Sequence, residues 1–142
     1  MANETGSGAQ AQHLLANFLS AWNARDWNAC VANMVEDASI VGVTGEMRVG
    51  REDIREAYAK YLPALPDDQL LHDIQVHSIR QATPDAVVID ARLMFANQPM
   101  AATMVCISRH GEWRISDWRA FRVLTAAQWD SLKAPSTSGN PA

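Results

Sequence analysis

The sequence has little cysteine and little histidine, and neither is arranged to bind a metal. Its 142 residues include two cysteines, Cys30 and Cys106, and four histidines. There is no CxxC pair and no Cys/His cluster, so we expect neither a structural zinc site nor any other metal or cofactor. Each cysteine lies in an apolar periodic segment, which indicates a buried thiol that packs as a small hydrophobic group.

The sequence also lacks a basic surface and a long apolar run. The net charge is −4, the sequence pI is about 5.5, and Lys and Arg form no cluster. Nucleic-acid-binding proteins neutralise phosphates with clustered basic residues, so that class is excluded. No apolar stretch reaches the roughly 20 residues of a bilayer-spanning helix, and residues 1–10 contain no apolar core of a secretion signal. We therefore expect a cytoplasmic protein with no membrane partner.

What the chain does have is enough apolar material for one domain. Apolar residues make up 48% of it, which suffices for a core at this length. Residues 1–9 are small and polar and are expected to form a flexible N-terminus. Residues 134–142 have the composition of a disordered tail. Between them, residues 10–133 contain no linker and no internal repeat, which predicts a single domain.

Within that domain, helical patterns come first and strand patterns follow. The first helix is predicted from apolar residues at helical spacing, which are Leu14, Leu15, Phe18, Leu19 and Trp22. A short second helix would start at the N-cap Asp26 and bury Cys30, Val31, Met34 and Val35. A third helix would follow Gly50 and end at Pro63. Strand-like segments at about 69–82, 85–96, 100–109 and 112–124 are separated by short turns, which predicts antiparallel hairpins, and Thr125 would cap a last short helix. This order is typical of an α+β fold.

Residues 18–58 resemble the SnoaL-like, nuclear-transport-factor-2-like (NTF2-like) superfamily, and its SgcJ/EcaC-type branch in particular. The resemblance depends on the order and spacing of AWNxRD, EDA, VTGE and GRE, and on Trp113-Arg114-Ile115 in the last strand, and it spans roughly residues 11–124. It implies a cone-shaped barrel in which three N-terminal helices pack on a curved, mostly antiparallel sheet around a deep pocket. It also implies a homodimer through the outer sheet face, and a role as an accessory protein of polyketide pathways, such as those of enediyne antibiotics.

Three positions depart from the ketosteroid isomerases of this superfamily. In a gap-free alignment, Gly42 stands where they have a general-base aspartate, and Phe18 stands where they have a hydrogen-bonding tyrosine. Neither residue can abstract a proton or donate a strong hydrogen bond. In the sequence no aspartate or glutamate stands around Thr103, where the alignment places their second acid. Steroid isomerisation by that route is therefore not expected.

The last strand carries the most suggestive polar pair. Alternation places Asp117 and Arg119 on the same face as Trp113 and Ile115, which would be the inward face. In an apolar pocket this pair would orient a polar end of a ligand, or Asp117 would act as a general base. A β-bulge would instead turn both residues toward solvent or a dimer partner. On the strand at 85–96, Asp90 and Arg92 are expected to point outward.

Large flexible or aromatic residues are candidates for the lining of the pocket. Short helices cannot fill the interior of a cone, so some of these residues should border a void of ligand size. Methionine repacks readily and suits an adaptable cavity. Plain core packing is the alternative for each member of the candidate set, which is Phe18, Trp22, Met34, Tyr58, Met94, Met104 and Trp113.

Three functions follow from these observations. The first is binding of a long apolar metabolite, such as a polyene or polyketide intermediate, with a polyketide synthase as a possible protein partner. The second is a cyclase, isomerase or dehydratase that uses Asp117 with Arg119 or Tyr58. The third is a non-catalytic dimeric module that recruits other proteins. The missing acid/base pair and the apolar candidate lining favour the first.

Overall fold

The order of helices and strands in the computed structural model, which describes residues 6–133, follows the sequence pattern closely. The helices are α1 (Ser7–Asn23), α2 (Trp27–Ala32), α3 (Arg51–Tyr61) and α4 (Ala126–Lys133), and a 3-10 turn (Leu62–Ala64) follows α3. None of the described helices is long and apolar enough to cross a membrane. Because α1 begins at Ser7, residues 7–9 belong to it. The rest of the predicted flexible N-terminus, apart from Gly6, and the predicted tail lie outside the described residues.

Local signals account for where the helices begin. The Asp26 side chain accepts a hydrogen bond from the backbone N–H of Ala29 at 3.0 Å, which caps α2 as expected. Gly50, which precedes α3, has a φ of +100°, a backbone conformation that residues with a β-carbon rarely adopt. Glu52 and Asp53 lie in the first turn of α3, where the helix dipole favours acidic residues.

The second helix is shorter than the sequence pattern predicts. It ends at Ala32, and Met34 and Val35 are the first residues of strand β1 (Met34–Val41). Asn33, a weak helix former, lies at the helix C-terminus. Met34 and Val35, which the pattern placed on the apolar face of the helix, are therefore buried residues of a strand. The helical spacing did not reveal this change of structure.

A curved sheet of six strands forms the second layer. After β1 come β2 (Met47–Val49), β3 (Leu71–Thr83), β4 (Ala86–Phe95), β5 (Gln98–Arg109) and β6 (Glu112–Arg122). Their order in the sheet is β2-β1-β6-β5-β4-β3. Strands β3 to β6 are consecutive antiparallel hairpins as predicted, while β1 runs parallel to β6. The α+β fold is confirmed, but the sheet stays open between its edge strands β2 and β3 and is not a closed barrel.

The core lies between the helices and the inner face of the sheet. Its largest fully buried side chains are Phe18, Met34, Ile54, Leu62, Ile89, Met104 and Ile115. On β4, Val87, Ile89, Ala91 and Leu93 are buried. Asp90 and Arg92 consequently lie on the outer face, as expected from the alternation.

A β-bulge in β6 overturns the predicted orientation of its polar pair. Val105 pairs with Asp117 and Cys106 pairs with Ile115, so Ser116 has no partner on β5. This extra residue shifts the alternation by one position. Trp118 therefore faces the helices and is 7% exposed, whereas Asp117 is on the outer face. The prediction that Asp117 and Arg119 point inward is wrong, and the alternative of a β-bulge that turns them outward is what the structure has.

Candidate functional site

A small apolar cavity of about 80 Å³ lies where α1, α3 and the turn between β1 and β2 meet one end of the sheet. Its interior is formed by buried residues, and its rim by exposed or half-buried ones. The interior residues are Trp22, Ile40, Tyr58, Leu71, Met100, Trp118 and Ala120, and the rim residues are Gly42, Val43, Thr44, Glu46, Tyr61 and Phe95.

Two polar side chains at the end of α1 hold one wall of the cavity in place. The Asn23 side chain donates to the backbone oxygen of Leu71 and accepts from its N–H, both at 2.8 Å. Arg25 donates to the backbone oxygens of Pro66 at 2.6 Å and Gln69 at 3.1 Å. These bonds attach the segment before β3 to α1. The AWNxRD motif thus has a structural role in positioning Trp22 beside Leu71.

Aromatic rings form much of the cavity wall. The ring of Trp22 lies 5.3 Å from that of Phe95 at an interplanar angle of 87°, and 6.3 Å from that of Tyr61 at 60°. Behind this wall, the ring of Phe18 packs 4.8 Å from Trp118 and 6.4 Å from Tyr58. The lining is therefore supported by a second row of aromatic packing.

Glu46 is the only charged residue in the lining, and the sequence reasoning missed it. In the turn, the Gly42 N–H donates to the Glu46 carbonyl at 3.0 Å, which brings the two residues together. The Glu46 side chain covers Gly42, so a β-carbon added there would lie 3.4 Å from Glu46 Oε1. Oε2 lies 3.6 Å from Arg48. The carboxylate thus occupies the space beside Gly42, and the VTGE motif was the available signal for it.

Tyr58 presents a neutral hydroxyl to the cavity. No hydrogen bond is found for this hydroxyl within residues 6–133, and no side-chain N or O atom there is both fully buried and unpaired. The hydroxyl therefore reaches the cavity that its residue lines. Burial, then the nearby Cys30 and Glu46, raise the pKa of Tyr58 far above its ordinary value. Burial and Glu46 also raise the pKa of Tyr61, which Arg25 partly opposes.

The raised pKa of Tyr58 predicts how stability depends on alkaline pH. The unfolded chain releases the Tyr58 proton near pH 10, whereas the folded protein keeps it. This contribution is present below about pH 10 and is lost above it, at roughly 1.4 kcal/mol per pH unit. In Tyr58→Phe, the free energy of unfolding should therefore fall less steeply above about pH 10 than in the parent protein, by that amount.

Urea unfolding at several pH values measures the difference between the two slopes. Burial raises the pKa values of the Cys30 and Cys106 thiols to about 12. These thiols therefore also make the free energy of unfolding fall as the pH rises. They are present in both proteins, so their effect cancels in the comparison. Equal slopes would show that the Tyr58 hydroxyl ionises as freely in the folded protein as in the unfolded chain.

The structure brings together two of the seven predicted lining residues, Trp22 and Tyr58. Phe18, Met34 and Met104 are only 2%, 0% and 1% exposed, and they belong to the core. The other two predicted residues also lie outside the cavity. Met94 lies on the outer face of β4, and Trp113 packs half-buried against the core at the other end of β6. A sequence pattern shows which side chains of a helix or strand point inward. It does not show how far along that helix or strand the cavity lies.

Asp117 and Arg119 form a polar cluster with Ser39 on the outer face of the sheet. The Ser39 hydroxyl donates to Asp117 Oδ1 at 2.6 Å, and Arg119 donates to Ser39 Oγ at 3.0 Å. The two charged groups are 3.6 Å apart. Neither borders the cavity, so the enzymatic hypothesis loses the acid/base that it named. A homodimer through this face stays a prediction.

Helices packed on an open, curved six-stranded sheet, with an apolar cavity between them, define a class of pocket-bearing α+β domains. The chain belongs to the SnoaL-like domain family, which matches residues 15–123. The family is known for ligand-binding and isomerase- or dehydratase-type proteins. No curated protein sequence matches the chain.

Solved structures of other proteins agree with this fold. An uncharacterized protein with a cystatin-like fold from Caulobacter vibrioides has a TM-score of 0.75 and 21% identity, and the match covers 91% of this chain and 100% of that chain. A ketosteroid isomerase-like protein from Erwinia carotovora atroseptica and a candidate dehydratase of the NTF2-like family from Streptomyces avermitilis each have a TM-score of 0.67 and 15% identity, with 82% of this chain and 96% of theirs covered. At these identities the likeness shows the fold alone. The SnoaL-like, NTF2-like membership is confirmed, and the SgcJ/EcaC-type branch stays a prediction.

Proposed function

We propose that the protein binds a small apolar molecule, or the apolar end of a larger one, in the cavity beside Trp22 and Tyr58. The observation that carries this is the lining itself, which is mostly aliphatic and aromatic and has a single carboxylate, that of Glu46, at its rim. Such a composition is typical of ligand sites, where a few polar groups fix the orientation of an apolar ligand.

The size of the cavity sets how much of a ligand it admits. At about 80 Å³ it has roughly half the volume of a ~150 Å³ cavity that takes up benzene. It therefore holds a group of about three or four non-hydrogen atoms. A long polyene would insert only its end and would lie across the exposed rim at Val43 and Tyr61. A role in a polyketide or enediyne pathway, and a polyketide synthase as partner, stay predictions.

Tryptophan fluorescence offers a direct test, because two tryptophans line the cavity. Titration with a straight-chain alcohol such as hexanol should give a saturable change in the parent protein. In Ala120→Leu the larger side chain fills part of the cavity, and the affinity should fall about tenfold or more, equivalent to about 1.4 kcal/mol. The matched control is Ala101→Leu on the outer face of β5, which should bind as the parent does.

The same experiment separates binding from catalysis and from a surface effect. Mass spectrometry of the recovered probe would reveal turnover, which an apolar binding role does not produce. Equal affinity of Ala120→Leu and the parent, with both folded by circular dichroism, would place the binding site elsewhere and reject the proposal.

A further inference from the structure

We propose that the group which enters the cavity is a methylated ammonium cation, held by an aromatic cage and one carboxylate. This rests on the proposed binding function and names the chemistry of its ligand. The proposal is based on five aromatic residues and a single acidic residue that lie around one small cavity.

The aromatic residues supply the faces that such a cation prefers. They are Trp22, Tyr58, Tyr61, Phe95 and Trp118. The rings of Phe95 and Tyr61 pack against that of Trp22 at interplanar angles of 87° and 60°, so the three rings lie in different planes. A cation within about 6 Å of an aromatic centroid is attracted by the negative face of the ring, and the gain rises when the site excludes water. Trp22 already attracts one cation in this way, since Arg25 Cζ lies 5.4 Å from its centroid.

The charge of the lining favours a cation over an anion. Glu46 is its only charged member, and it contains no Lys, Arg or His. Oε2 of Glu46 lies 3.6 Å from Arg48, which in turn lies 3.5 Å from Asp53. Arg48 is thus shared between two carboxylates, and the three side chains together keep a net negative charge. Oε1 packs over Gly42 at the rim, where it would lie beside a cation in the cavity.

Size and hydrogen bonding favour methylated nitrogen over a bare ammonium. A primary ammonium carries three N–H donors that must all be satisfied when it leaves water. The lining is largely apolar, and its side-chain oxygen acceptors are those of Glu46, Thr44 and two tyrosines. A trimethylammonium group needs no acceptor and presents only methyl groups to the rings. Its four non-hydrogen atoms match the cavity volume, and the rest of the molecule would leave through the rim.

Comparison of choline with its neutral carbon isostere, 3,3-dimethylbutan-1-ol, tests charge recognition at constant shape. Calorimetric titration of the parent protein should give choline about tenfold higher affinity than the isostere. In Glu46→Gln, which keeps size and removes charge, this preference should fall about threefold or more, because one of its two sources is lost. Glu36→Gln removes the same charge from an exposed residue of β1 and should leave the preference unchanged.

The outcomes distinguish failure of this inference from failure of the proposed function on which it rests. If the isostere and hexanol bind the parent protein as tightly as choline, the cavity recognises an apolar shape and the ammonium inference is wrong, while apolar binding stands. If none of the three binds, both proposals fail. Should Glu46→Gln not fold, the choline-to-isostere ratio of the parent protein decides the question alone.

Discussion

Deletion of Ser116 is expected to prevent folding, the largest effect that the structure predicts for a single residue. Ser116 is the unpaired residue of the β6 bulge. Without it, the rest of the strand would present its opposite face to the helices. Asp117 and Arg119 would then point into the core, and Trp118 would point to solvent.

The energies involved exceed what a domain of this size can lose. Removing an ion from water costs several kcal/mol even after relaxation, and loss of a buried tryptophan side chain costs about 3–5 kcal/mol. A natural domain has only about 5–15 kcal/mol of stability in total. The soluble yield and the cooperative thermal transition of the deletion variant should therefore be lost.

Ser116→Ala is the matched control because it keeps the bulge. It removes only the Ser116 hydroxyl, which donates to Asp117 Oδ2 at 3.1 Å at a half-buried site. The cost should be about 1 kcal/mol or less. A deletion variant that melts within a few degrees of the parent protein would show that something other than this residue sets the register of β6.

The same bulge explains how far the sequence could predict the site. Helix α1, helix α3 and the four hairpin strands follow from periodicity, Gly50, Pro63 and the turn residues, because those signals are local. Ser116 carries no such signal. Its bulge depends on how β6 pairs with β1 and β5 at once, which only the assembled sheet decides.

The position of the cavity depends on tertiary structure in a similar way. Trp22 and Tyr58 were found because aromatic residues on an inward helix face are visible in the sequence. Phe95 and Met100 are 5 positions apart in the chain and reach the cavity because β4 and β5 form a hairpin at that end. Glu46 reaches it through a turn that folds a carboxylate onto a glycine. The hairpin end and the turn meet at the cavity with Trp22 of α1, which is distant from both in the chain, and a periodic pattern does not contain that meeting.

Phe18→Ala should destabilise the protein by about 3–5 kcal/mol and enlarge the cavity at the same time. Phe18 is 2% exposed and packs against Tyr58 and Trp118, both of which line the cavity. Removal of its ring leaves a void behind these two side chains. Urea unfolding measures the loss, and Phe121→Ala, the same substitution at a residue 50% exposed on the outer face, should cost about 1 kcal/mol or less.

A second measurement decides whether the new void joins the cavity. An apolar void lined by aromatic and aliphatic groups stays dry and takes up benzene-sized molecules. At a benzene concentration of about 100 times its Kd, binding would restore roughly 2.7 kcal/mol of stability to Phe18→Ala. The parent protein, with a cavity of about 80 Å³, should gain much less. Equal gains in the two proteins would mean that Tyr58 and Trp118 collapse into the space of the lost ring, and that Phe18 packs in the core without limiting the depth of the site.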